Sequence, residues 1–366
     1  MKKSLIALAV AGTFAAPAAF AATANVDVGG TMNFSLDYLD ADSPTNGGNW
    51  NVSSNSSNIY FKGAEDLGGG LKGIWQIQTY FDAGATGNAD GSFGATANGV
   101  GSGNTYVGLS GGFGTVLLGK HEAPAKLIGR SVDLFGDQIG DNRNLVASSV
   151  GSNSGVTTAG FDLRPNNVIA YASPNFSGFT AMLAYVTNTG AGAATDSTVD
   201  AWSANVKYDN GPLMVGLGYQ LHNLSEAIPG AGDENIWRLA VSYKIGDLRL
   251  VGLYQKEDDL NYSGGNNGDR STWGLGAAYK MGPITLKGQY YNTDDIGNTN
   301  NTGADMWALG VDYELSKRTK VQFAYATTDN DNQSRYSAFG GGHGDNPGTV
   351  AGGSPSGFSV GVRHSF

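Results

Sequence analysis

The chain has 366 residues, with 32 acidic side chains against 22 basic ones, a formal net charge of −10 and no cysteine. The acidic balance argues against a nucleic-acid partner, which would need a basic stripe to track phosphates. The absence of cysteine removes a disulfide framework, a thiolate zinc site and a cysteine nucleophile, and a chain of this length manages without disulfide staples.

The first element is an export signal. Lys2 and Lys3 form a basic start, residues 5–16 are apolar, and Ala19-Phe20-Ala21 is a small-x-small cleavage site. The chain therefore divides into a signal peptide, 1–21, and a mature domain, 22–366. The apolar stretch is too short to cross a hydrocarbon core of about 30 Å as a helix. No later run of about 20 apolar residues follows, which excludes a helical membrane protein.

The mature chain alternates instead. A first strand is expected over about 26–39, a second from Asn58, and its partner over 71–81, where Trp75 and Ile77 share one face and Gln76 and Gln78 the other. Trp202, Ala204, Val206 and Tyr208 alternate with Ser203, Asn205 and Lys207; Trp237, Leu239, Val241 and Tyr243 alternate with Arg238, Ala240, Ser242 and Lys244. The pattern continues through 273–280, 284–291, 307–314 and 320–326. It ends on Phe358-Ser359-Val360-Gly361-Val362-Arg363-His364-Ser365-Phe366, with a bare aromatic carboxy terminus. Mean hydropathy is only −0.22, which suits a barrel, because only alternate strand residues meet lipid.

Connections alternate as well. Short turns such as Asp209-Asn210-Gly211-Pro212 and Met281-Gly282-Pro283 follow every second strand, and long polar loops (187–200, 222–235, 258–270, 327–357) lie between them. Short periplasmic turns and long extracellular loops give this asymmetry. Trp237 with Tyr243, and Trp307 with Tyr313, mark the two ends of apolar faces and predict two interfacial belts. The count is about 16 strands, an even number as such barrels require. The fold class is thus all-β: a 16-stranded antiparallel transmembrane β-barrel.

Four features carry a family resemblance: Phe61-Lys62-Gly63-Ala64-Glu65-Asp66-Leu67-Gly68-Gly69-Gly70, Tyr106-Val107-Gly108-Leu109-Ser110-Gly111-Gly112-Phe113-Gly114, Arg164-Pro165-Asn166-Asn167-Val168-Ile169-Ala170-Tyr171, and the terminal Phe366. The mature chain resembles the general diffusion porins of Gram-negative bacteria, and within them the trimeric porins of beta-proteobacteria. The resemblance implies a homotrimer set among outer-membrane lipid and lipopolysaccharide. It also implies a third extracellular loop folded inward, and a terminal phenylalanine read by the barrel-assembly machinery. The implied cargo is small hydrophilic solutes and ions, with no cofactor.

The constriction loop is expected over about 121–160, roughly 40 residues and too long for an idle connection. Glu122, Asp133, Asp137 and Asp141 cluster in it. The resemblance, together with strand parity, puts Lys62 and Arg164 on the inner wall opposite. Lys120 joins them if the strand breaks where the loop departs, since its parity is that of the lipid-facing Val116 and Leu118. Acids on the loop facing cations on the wall would set a transverse field across a water-filled eyelet. Asn58 and Lys120 stand where relatives carry arginine, and Ala170 and Ala172 where they carry charged lumen residues. With a mature charge of about −12 once Lys2 and Lys3 are removed, weak cation preference is expected.

Chemistry of other kinds finds little support. His121, His222, His343 and His364 show no metal-ligand spacing or local triad pattern, and two of them, His222 and His343, fall in expected exterior loops. The Asp-rich stretch 327–332 lacks the spacing of a calcium loop. A substrate-selective channel for sugars, phosphate or an organic acid is the alternative. A sugar channel needs a line of lumen aromatics, and Trp75, Trp202, Trp237, Trp273 and Trp307 all take the lipid parity.

Overall fold

The computed structural model describes residues 25–44, 47–81, 99–147, 160–187, 200–224, 232–262 and 266–366. The expected signal peptide and its cleavage site, and residues 148–159 of the expected constriction loop, lie outside the described residues.

Alternation builds one antiparallel sheet of 17 strand segments that closes on itself. The first half comprises β1 (Asn25–Asp40), β2 (Asn49–Ser54), β3 (Asn58–Gly68), β4 (Leu71–Tyr80), β5 (Thr105–Gly111), β6 (Gly114–Lys120), β7 (Val168–Ala172) and β8 (Phe179–Val186). The second half comprises β9 (Ala201–Asn210), β10 (Leu213–His222), β11 (Glu234–Ile245), β12 (Leu248–Tyr262) and β13 (Asn266–Met281). It is completed by β14 (Ile284–Thr293), β15 (Ala304–Glu314), β16 (Thr319–Asn330) and β17 (Ser356–Ser365). Segments β2 and β3 both pair with β1 and are two halves of one strand interrupted near Asn55, so the barrel has 16 strands. β17 pairs back onto β1, with Val362 opposite Phe34. Phe366 and Gly30 exchange two backbone hydrogen bonds of 3.1 Å each. The last strand thus closes the sheet onto the first, as an apolar solvent demands.

The outer face is greasy. Trp202 and Tyr208, Trp237 and Tyr243, Trp273 and Tyr279, and Trp307 and Tyr313 each lie six residues apart on one strand. That is about 20 Å along the strand, close to the height of an apolar band. Neighbouring strands supply ring partners: Tyr219 lies 4.5 Å from Trp237 and Tyr185 4.6 Å from Trp202.

Alternation alone predicts a wet inner face throughout. On β10 to β16 it is not wet: Met214, Ala240, Val251, Leu253, Met306, Ala308 and Ala324 are buried there. The loop after β6 covers them. It opens with the short helix α1 (Pro124–Arg130), whose proline sits in the first turn where no N–H is needed, and includes one turn of helix, α2 (Arg143–Val146). Val132, Phe135, Ile139 and Leu145 are fully buried between loop and wall, each contributing roughly 1.5–3 kcal/mol. At Gly140, φ is +76° and an added Cβ would stand 2.5 Å from that of Ala308. Only glycine permits so close a seat.

The last connection folds inward too. Ala338 and Phe339 are buried beside Ile139, Gly140 donates to the Ala338 carbonyl at 2.7 Å, and Gly340 N–H reaches Asn144 Oδ1 at 2.7 Å. This corrects the expectation for His343: it is buried, with Nε2 2.9 Å from Asp37 Oδ2. His222 is likewise not on an exterior loop. It ends β10, is buried, and has Nδ1 3.0 Å from Glu234 Oε1.

Candidate functional site

The loop is fastened before it constricts anything. Its outgoing and returning arms pair through Ala123 N–H to the Leu163 carbonyl at 3.1 Å and His121 N–H to that of Pro165 at 3.4 Å. Asn205 donates to the Pro124 carbonyl at 2.7 Å, and Ser203 Oγ accepts from Ala125 N–H at 3.0 Å. The fully buried Arg238 donates to the carbonyls of Ala125 (3.1 Å) and Val146 (3.3 Å) and to Asp162 Oδ1 (2.7 Å). Further along, Gln289 donates to the Gly140 carbonyl at 2.8 Å and Lys287 to that of Leu134 at 3.0 Å.

Between the loop and the wall lies a cavity of about 410 Å³. From the loop and its return come Glu122, Lys126, Arg130, Asp137, Arg143 and Arg164. The strands contribute Thr31, Asn58, Tyr80 and Arg363, and the last connection Gly342 to Gly344.

Two ion clusters organise it. Glu122 Oε1 takes Lys126 Nζ at 3.1 Å and Arg164 Nη2 at 2.9 Å. Arg164 is braced by Asn104 at 3.0 Å and by the Tyr80 hydroxyl at 2.9 Å, its guanidinium 4.8 Å from the Tyr80 ring centre. Burial works to raise the Glu122 carboxyl, but Lys126 and Arg164 outweigh it and hold the group down at about 2. Asp137 lies between Arg130 (3.0 Å) and Arg143 (2.9 Å). Burial would raise this carboxyl as well, and the two guanidinium groups hold it below the ordinary range.

The sequence-expected residues separate into three groups. Glu122, Asp137 and Arg164 line the cavity. Asp133 and Asp141 are turned into the loop's own fabric. Asp133 takes Phe135 N–H and Gln289 at 2.9 Å each. Asp141 is fully buried and takes Arg143 at 2.6 Å and the Asp137 N–H at 2.8 Å. Lys62 and Lys120 stand outside the cavity lining. Lys62 is exposed on β3, 5.3 Å from the Tyr60 ring centre. Lys120 ends β6, in register with Thr105 and following Gly119 at a φ of +143°, and lies within electrostatic reach of Arg164.

The expected separation, acidic loop against basic wall, is not the observed arrangement. The loop carries its own cations, Lys126, Arg130 and Arg143, and Glu122, Asp137 and Asp141 are spent on them. Lys126, Arg130, Arg143 and Arg363 were missed by a reading that sought acids in the loop. Arg130 and Arg143 flank Asp137 at seven and six residues, and Arg363 stands on the inner parity of the last strand. A second signal was also present: Leu250 to Leu253 and Met306 to Leu309 are apolar on both faces, which no wet lumen wall requires.

Comparisons with known proteins agree with this architecture. Residues 6–333 match the family model described as Gram-negative porin. The chain is 34% identical over 382 aligned residues to the outer membrane porin protein 32 of Delftia acidovorans, covering all of both chains. The anion-selective porin from Comamonas acidovorans superposes with a TM-score of 0.75 at 28% identity, over 94% of this chain and 100% of that one. An in-vitro-folded outer membrane protein of Vibrio cholerae, in its trimer form, has the same fold, with a TM-score of 0.62 at 16% identity over 94% and 99% of the two chains.

Proposed function

The chain belongs to the Gram-negative porin family, and we propose that it forms a general diffusion pore with a preference for anions. It is a porin of the outer membrane, and it does no chemistry on what it passes. The observation that carries the sign of the preference is the cavity lining. Five cations (Lys126, Arg130, Arg143, Arg164 and Arg363) face it against two carboxylates (Glu122 and Asp137).

This reverses the cation preference expected from net charge. The acids behind that charge sit largely elsewhere, for example Asp294, Asp295, Asp305, Asp329 and Asp331 around the outer ends of β14 to β16. Fixed charge on the cavity wall acts on an ion inside it at a few ångströms, whereas a charge beyond about 10 Å is largely screened in 0.1 M salt. The local surplus therefore outweighs the global deficit. A relative of similar build is anion-selective, which supports the same sign.

The functional unit in this reading is a homotrimer in outer-membrane lipid and lipopolysaccharide, with Phe366 as the residue read by the assembly machinery. Reconstitution in planar bilayers under a KCl gradient tests the pore. Ohmic steps in groups of three and a reversal potential of anionic sign are expected. Silent membranes from folded, heat-modifiable protein would overturn the diffusion pore, and a cationic reversal potential would overturn the preference.

A further inference from the structure

Each cavity cation but one is spent on a carboxylate. Lys126 and Arg164 share Glu122, and Arg130 and Arg143 share Asp137, with Arg143 also holding Asp141. Arg363 makes no hydrogen bond or ion pair through its side chain among the described residues, although it lines the same cavity. We propose that Arg363 is the single residue that contributes most to the chloride-to-potassium permeability ratio, resting on the diffusion-pore reading above.

Its surroundings offer nothing to cancel it. Across the sheet Arg363 lies opposite Asn33 on β1 and Lys320 on β16. The Lys320 ammonium is itself taken by Asp312 at 2.7 Å, and the Asn33 amide is turned to the Asn55 carbonyl at 3.0 Å. The carboxylate that feels Arg363 is Asp137, already engaged by two guanidinium groups. The charge is also fixed in place. β17 is hydrogen-bonded on both sides and closes the barrel, so Arg363 does not move with the loop. A permeating anion therefore meets one uncompensated guanidinium on a rigid wall, facing a loop whose own charges are mutually occupied. Arginine stays charged at every accessible pH, so this contribution does not titrate.

The absence of native cysteine makes a clean test available. The Arg363→Cys channel is measured in 0.1 M KCl before and after reaction with a thiol reagent carrying a quaternary ammonium group or a sulfonate. The chloride-to-potassium permeability ratio is expected to fall about threefold or more on substitution, as for one unit charge a few ångströms from the ion. The ammonium adduct restores it and the sulfonate adduct lowers it further. Equal ratios in the three forms would overturn the proposal. If the cysteine channel fails to assemble, Arg363→Lys and Arg363→Gln serve: lysine keeps the ratio, glutamine lowers it, and identical ratios overturn the proposal. A wild-type channel of cationic sign defeats the anion preference alone, because the ordering of the three forms still reads the role of Arg363.

Discussion

Arg238 and Arg164 hold similar partners and do different work. Arg238 reaches Asp162 at 2.7 Å with both side chains essentially sealed, at 0% and 2% exposure. Arg164 reaches Glu122 at 2.9 Å, but with 19% and 15% exposure, on the cavity. At the root of the loop the guanidinium fork ties the outgoing arm at Ala125, the middle at Val146 and the return at Asp162. At the rim the same chemistry faces water, where an ion can sample it. Burial decides whether such a pair is a fastening or a field, because a sealed charge has no partner to fall back on.

The largest expected effect comes from breaking the root. Arg238→Met leaves the Asp162 carboxylate buried without its partner and removes the tie at three points, a loss of about 3–5 kcal/mol in loop docking. The barrel should still assemble, since its strand pairing does not pass through the loop. Single-channel records are expected to show a higher and noisier conductance, and limited proteolysis to cut within 121–160. Unchanged conductance, noise and protection would mean that the apolar seat of Phe135 and Ile139 suffices, and the distinction between root and rim would fail.

A smaller effect is expected from titrating the rim. Glu122 is held at about 2 against an ordinary 4.5, so its folded value is depressed. The stability from its pairing is complete above about 4.5 and is lost as the pH falls through about 2. As far as Glu122 is concerned, selectivity should stay flat from pH 8 to about 4. Below about 3, loss of this negative charge raises the anion preference. Reversal potentials across that range check it, and Glu122→Gln should show the acid-limb value already at neutral pH. A shift centred between pH 4 and 5 would mean that the pair is more solvated than the geometry indicates.

Much of the barrel was legible because its physics is local. Side chains alternate with period two, so Trp237, Leu239 and Val241 announce a lipid face without reference to any other strand. The loop was legible in outline, since its length and acids exceed what a connection needs. The partners of those acids were not legible. Whether Asp141 faces water or Arg143 depends on how residues 124–146 wind against the wall, and periodicity carries no information about that. His343 shows the same limit: a polar, glycine-rich segment suggests an exterior tip, and only tertiary contact brings it to Asp37. The doubly apolar strands gave the missing hint, because an apolar inner face needs a cover.

The smallest expected effect is at Lys62, and it discriminates best between a local and a global account of selectivity. Lys62 is exposed on β3, four residues beyond Asn58, which lines the cavity. Four residues are about 13 Å along a strand, further than the screening length of about 10 Å in 0.1 M salt. Lys62→Gln should therefore change the permeability ratio by less than about 1.5-fold there, against threefold or more for Arg363→Cys. In 0.01 M KCl the screening length grows to about 30 Å and the two effects should approach one another. Equal effects already at 0.1 M would assign selectivity to the summed charge of the lumen. A difference that persists at 0.01 M would assign it to contact between ion and guanidinium. The predicted crossover with salt is what a fixed, uncompensated charge at the constriction requires.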